Sequence, residues 1–111
     1  MSETYSLIIL PEAQNDIREI ILYIAGELSA PQAAISLQNE FKRTIESLSS
    51  MPKRIKTVDE QQWKDAGIRK IKVKNYYIYF IVDDETMTVK VMAVIYIGRD
   101  QKRNLRKMNT Q

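Results

Sequence analysis

Apolar residues in this chain follow two different periods. Ala13, Ile17, Ile20, Ile21, Ile24 and Leu28, and then Ala34, Leu37, Phe41, Ile45 and Leu48 with Gln38 in the same stripe, recur at three- and four-residue spacing. That spacing predicts two amphipathic helices, each burying one stripe. From Gly67 onward the period shortens to two. Ile68, Ile71, Val73, Tyr77, Tyr79, Ile81, Met87, Val89, Val91, Ala93 and Ile95 fall in β-branched and aromatic runs interrupted by Asn75 and by Asp83-Asp84-Glu85-Thr86. Three strands in a meander are expected there. The last of them, Met87 to Ile97, is apolar at most positions, which suits a strand flanked on both sides rather than an edge. Between Arg69 and Lys74 basic and apolar residues alternate, so Ile71 and Val73 should enter the core while Lys70, Lys72 and Lys74 line the opposite, open face.

The boundaries follow from the punctuation. Tyr5 to Leu10 is an apolar run of strand length ended by Pro11, which suits a first helical turn because its missing N–H costs nothing there. Glu12 and Asp16 near that end complement the helix dipole. Ser29 is the expected N-cap of the second helix, with Gln32 as its capping-box partner. So few residues separate the helices that they must form an antiparallel hairpin, over about residues 11–50. The expected fold is a single α+β domain spanning 1–111 in the order β-α-α-β-β-β. An antiparallel sheet over about 67–98 packs on the N-terminal helical hairpin, and a basic tail, 99–111, follows. Trp63, alone in the irregular stretch 52–66, is expected to anchor that stretch on the sheet.

Charge sharpens this outline. Residues 1–50 hold seven acids and three bases, a balance of −4, whereas residues 51–111 hold seven acids and fourteen bases, a balance of +7. The second half therefore suits an anionic partner, nucleic acid or an acidic protein segment. With no cysteine and no histidine, thiolate and imidazole metal sites and the usual general base are all excluded. No metal site and no cofactor are expected. No segment approaches the roughly 20 apolar residues of a membrane span, and the first ten residues lack the form of a signal peptide, so a cytoplasmic protein without a membrane partner is expected.

Chemistry is left to Lys, Arg and Tyr. Lys70, Lys72 and Lys74, with Arg69 before them, Tyr77 and Tyr79 on the next strand, and Arg99 and Arg103 after the last, could converge on a phosphodiester. A Lys or Tyr would then assist deprotonation of a 2′-hydroxyl and Arg would stabilise charge on the phosphate oxygens. The same groups would serve binding alone. The simpler alternative is a solvated lysine row with tyrosines capping the core. The acids Asp83, Asp84 and Glu85 are explained by their turn.

The succession GIRKIKVKNYYIYFIVDD, a short hairpin, VKVMAVIYIGRD and a basic end resembles the RelE/ParE family of toxins from bacterial type II toxin–antitoxin pairs, and the likeness extends over nearly the whole chain. The resemblance implies a growth-inhibiting toxin neutralised by a cognate antitoxin in a hetero-oligomer, the antitoxin laying a disordered segment over the groove between hairpin and sheet, and the polarised charge predicts that segment to be acidic where it meets the lysine face. Members similar to RelE cut mRNA on ribosomes with lysines before the tyrosine-rich strand, an arginine within it, an arginine after the last strand's glycine and a tyrosine near the C-terminus. Carried over by position, Lys70, Lys72, Lys74 and Arg99 match the first and third of these roles. The strand arginine falls at Tyr77, and no tyrosine follows Asp100. Two roles are empty, which favours members similar to ParE, which poison DNA gyrase. In that reading the expected target-binding residues are Arg99, Lys102 and Arg103, then Lys72, Lys74, Tyr77 and Tyr79. An mRNA endonuclease acting with the ribosome, and a non-toxic module that binds only its antitoxin, are the alternatives.

Overall fold

The computed structural model describes residues 4–98. The chain begins as strand β1 (Ser6–Ile9), and Pro11 opens helix α1 (Pro11–Leu22) as its first residue, the position where a proline's missing N–H goes unneeded. The helix then widens into a π-helical turn, Tyr23–Glu27. Ser29 does not cap the next helix. It sits in the left-handed region at φ 49°, its hydroxyl lies 3.5 Å from the Gly26 carbonyl, and the cap position falls to Ala30 with no side-chain hydrogen bond. The widened end of the first helix uses up the residues that would have formed a capping box. Helix α2 (Pro31–Ser47) buries Ala34, Leu37, Phe41 and Ile45, and Leu48 follows at zero exposure. Gln38, in the same expected stripe, is exposed.

Strands β2 (Arg69–Val73), β3 (Tyr76–Asp83) and β4 (Thr88–Tyr96) form the expected antiparallel meander. The sheet as a whole is mixed, because β1 pairs with β4 in parallel and the strand order is β1-β4-β3-β2. The helical crossover between β1 and the meander is long enough to permit a parallel pair. Strand β4 is central, in agreement with its apolar run.

Tight joints link the elements. Met51, Lys74 and Met87, like Ser29, hold φ near 50°, a conformation that costs side chains other than glycine about 1 kcal/mol or more. Lys74 is thereby placed in the turn between β2 and β3, not in the strand.

One core cluster lies between the helices and the sheet, built on Leu37, Phe41, Ile45 and Leu48 from α2 and on Val73, Ile78, Phe80, Val89 and Val91 from the strands. The opposite face of the sheet is not open. Val58, Trp63 and Ile68 pack there on Tyr79, and Tyr77, Ile81, Met92 and Ile95 surround them. Trp63, in the short helix α3 (Gln61–Asp65), is 3 % exposed and anchors the irregular stretch. The lysine alternation had suggested a bare cationic face; a second apolar cluster covers part of it.

Candidate functional site

In the β2–β3 ladder Lys70 stands opposite Tyr79 and Lys72 opposite Tyr77, so these four side chains share the face turned away from the helices. The sharing is unequal. Tyr79 is fully buried, and burial together with the neighbouring Tyr77 pushes its hydroxyl up to about 12. It belongs to the core, not to the target-binding surface expected of it. The ammonium of Lys70 lies 4.2 Å from the centroid of the Tyr77 ring, a cation–π contact. Lys72 is exposed. Arg69 is taken up structurally: its guanidinium donates to the Ile55 carbonyl at 2.5 Å and its backbone bridges Thr57, which ties the irregular stretch to β2.

Lys74 departs from this group. Its place in the turn brings it to the other side of the sheet, where it lines an open groove between α1 and the end of β4. The lysine row read from the sequence is thus divided between two faces. Arg99, Lys102 and Arg103 lie outside the described residues.

The groove has a volume of about 1510 Å³. It exists because β1 stops at Ile9, opposite Val91, and among the described residues no strand flanks the remainder of β4 on its outer side. Residue Met92 is also the extra residue of a bulge, since Tyr79 pairs with Ala93 and Phe80 with Val91. Beyond the bulge the Val94 N–H donates to the Asp16 carboxylate at 3.0 Å, so a side chain of α1 substitutes for the missing strand. Glu12, Asp16 and Glu19, spaced four and three residues apart, line the α1 wall of the groove, with Lys74 at its end. Tyr76 stacks edge-on against both Phe41 and Tyr96 at 5.6 Å between ring centroids. Burial, together with Tyr96 and Tyr23, raises the pKa of the Tyr76 hydroxyl. Tyr23 and Tyr96, 55 % and 46 % exposed, complete an aromatic cluster at the groove's mouth. Sequence reading took Glu12 and Asp16 only as partners of the helix dipole. The signal it passed over was the common helical face they share with Glu19.

Of the acids in the β3–β4 turn, Asp83 acts locally, as its position implied, and Asp84 reaches across the fold. An oxygen of the Asp83 carboxylate accepts the backbone N–H groups of Glu85 and Thr86 at 3.0 and 3.3 Å. Asp84 accepts from the Tyr5 hydroxyl at 2.8 Å and from the Lys53 ammonium at 2.7 Å, bonds that hold its carboxyl below the usual range.

A mixed sheet of this order backed by a helical hairpin is an α+β fold like that of RelE/ParE toxin structures. Solved structures bear this out. The chain superposes on the chromosomal ParDE system of P. aeruginosa with a TM-score of 0.70 at 13 % identity, covering 86 % of this chain and 98 % of that one. The E. coli toxin RelE, a double mutant in the free state, gives 0.62 at 15 % identity over 94 % and 97 %. The RelBE2 toxin–antitoxin complex of Mycobacterium tuberculosis gives 0.59 at 18 % identity over 85 % and 92 %. Comparison with curated proteins returns no match. Within the class the assignment is narrower: residues 7–101 match the model of the ParE toxin of type II toxin–antitoxin systems, and the chain belongs to that family.

Proposed function

We propose that this toxin arrests growth by acting on DNA gyrase, and that a cognate antitoxin neutralises it by ordering a segment over the groove between hairpin and sheet. The division of the lysines carries the reading. Lys70 rests on the Tyr77 ring, at the position where the RelE-like pattern places an arginine, and Lys74 faces the groove on the other side. A cleavage site needs its groups convergent on one phosphate, within hydrogen-bond reach. Of the three lysines, Lys72 alone offers an exposed ammonium from a strand on the second face. That arrangement suits contact with a macromolecular target better than strand scission. The target-binding set is then Arg99, Lys102 and Arg103 with Lys72, Lys74 and Tyr77.

The test is induced expression without antitoxin, with DNA and protein synthesis pulse-labelled in parallel, followed by gyrase supercoiling with purified toxin. Early loss of DNA synthesis and inhibited supercoiling are expected. Early collapse of protein synthesis with cleaved mRNA on ribosomes would assign the toxin to the endonuclease branch, and unimpaired growth would leave an antitoxin-binding module.

A further inference from the structure

We infer that the target is held through its polypeptide, by an acidic and apolar segment lying on the second face of the sheet between Lys90 and Lys72, a step that rests on the reading above for the side of the molecule the target meets. Lys90 is a residue that neither the core nor the site described so far employs. It is the one charged residue of β4, and it stands between Ile8 of β1 and Ile81 of β3. Val89 and Val91 on either side of it enter the core beneath the helices, so Lys90 belongs to the opposite face. It is half-buried, and among the described residues neither it nor Lys72 forms an ion pair. A lysine in such surroundings is ordinarily paired or kept at the surface. Here the stem can rest among apolar neighbours while the ammonium is left for a carboxylate from outside.

The surroundings of Lys90 indicate what accompanies that carboxylate. Val58, Trp63 and Ile68 cover Tyr79 but leave a strip of the same face partly exposed: Ile8, 45 % exposed beside Lys90, then Met92 and Ile95 farther along β4. Ile95 pairs with Tyr77, and Tyr77 with Lys72, which is exposed at the far end. An apolar strip thus runs between two cations. From Lys90 to Ile95 it measures about 17 Å along the strand, and two strand spacings carry it about 10 Å sideways to Lys72, so its ends lie roughly 20 Å apart. A helix of about 13 residues spans that length. Between three and four turns, apolar on one side and with an acid near each end, fit the strip.

Nucleic acid fits it poorly. A strand presents a phosphate at every nucleotide and is held by a succession of cations, whereas apolar side chains separate these two. Stacking of bases needs open aromatic faces, and the Tyr77 ring already carries the Lys70 ammonium at 4.2 Å. Where the target is gyrase on its DNA, the contact is with the protein.

The sequence contains no cysteine, so Ile8→Cys carries a single benzophenone onto the strip and leaves both lysines in place. Irradiated with purified gyrase and end-labelled DNA, this chain should crosslink to a gyrase subunit, at a peptide containing Asp or Glu, and leave the DNA unmarked. Lys90→Glu, added to that chain, should lower the yield about tenfold, and in the parent it should weaken growth inhibition on induced expression to a similar degree, by losing one attraction and adding repulsion. Lys90→Met, which keeps the aliphatic bulk without the charge, should weaken both severalfold at an unchanged melting temperature, and Lys90→Arg should keep both near the parent's level. A crosslink to DNA, no crosslink while gyrase is inhibited, or parental growth inhibition by Lys90→Glu and Lys90→Met would each overturn the proposal. If the parent inhibits growth but leaves supercoiling untouched, the gyrase reading falls by itself, and the growth comparison of Lys90→Met with Lys90→Arg decides the surface.

Discussion

Tyr79 and Asp84 illustrate how much a single side chain's surroundings decide. The Tyr79 hydroxyl, raised to about 12, keeps its proton in the folded chain where an unfolded tyrosine would lose it. A raised acid makes the folded state the tighter proton binder, so this group's contribution to stability is full below pH 10 and is lost as the pH climbs from about 10 to 12. Denaturant titrations of Tyr79→Phe should show a shallower alkaline decline than the parent. Asp84 has the opposite sign. Its carboxyl is lowered by the hydrogen bonds from Lys53 and Tyr5, so its stabilisation is present above the unfolded value of 3.8 and disappears as the pH falls through the folded value. Asp84→Asn should flatten the acid limb of the stability profile, readable from urea midpoints between pH 2 and 6.

Among the elements, β4 and the stretch around α3 carry the most consequence. Asp16 gives the Val94 N–H the acceptor that β1 is too short to supply. Asp16→Ala should cost about 1.5–3 kcal/mol, the range for a hydrogen bond to a charged group, and should speed hydrogen exchange at the Val94 amide beyond that at its neighbours. Trp63 holds α3 against Tyr79; Trp63→Ala should cost about 3–5 kcal/mol, the range for emptying a large aromatic site, measured by calorimetry because the substitution removes the only tryptophan. These elements also mark what could be read in advance. The helical stripes through Ile17 and Phe41 and the two-residue period through Val89 and Val91 are local signals, and they gave the hairpin, the meander and the central place of β4. The parallel pairing of β1 was not legible, since nothing in Leu7 or Ile9 encodes the direction of a partner some eighty residues away. The lysine row misled for a similar reason: alternation specifies a face, but the left-handed turn at Lys74 and the covering of the second face by Val58 and Trp63 depend on chain segments outside the strand. The acidic wall of the groove was written at Glu12, Asp16 and Glu19, yet it acquires meaning only once β4 lies beside α1.

For the molecule as a whole, the described residues present two distinct surfaces, an acidic groove wall of Glu12, Asp16 and Glu19 along α1 and a sheet face on which Lys72 is exposed. If the basic face meets the target, Lys72→Glu should weaken growth inhibition severalfold, by losing one favourable contact and adding repulsion, with the fold intact by circular dichroism; inhibition at the parent level would remove Lys72 from the target surface. The strand order has a consequence of a different kind, for the timing of synthesis. The last of the described strands lies between β1 and β3, and among the described residues it is the strand on which β1 pairs. A nascent chain that has not passed residue 96 possesses its helices but no complete surface on which to seat them, and the contacts that close the fold join its most distant parts. A chain interrupted before residue 96 therefore cannot close this sheet.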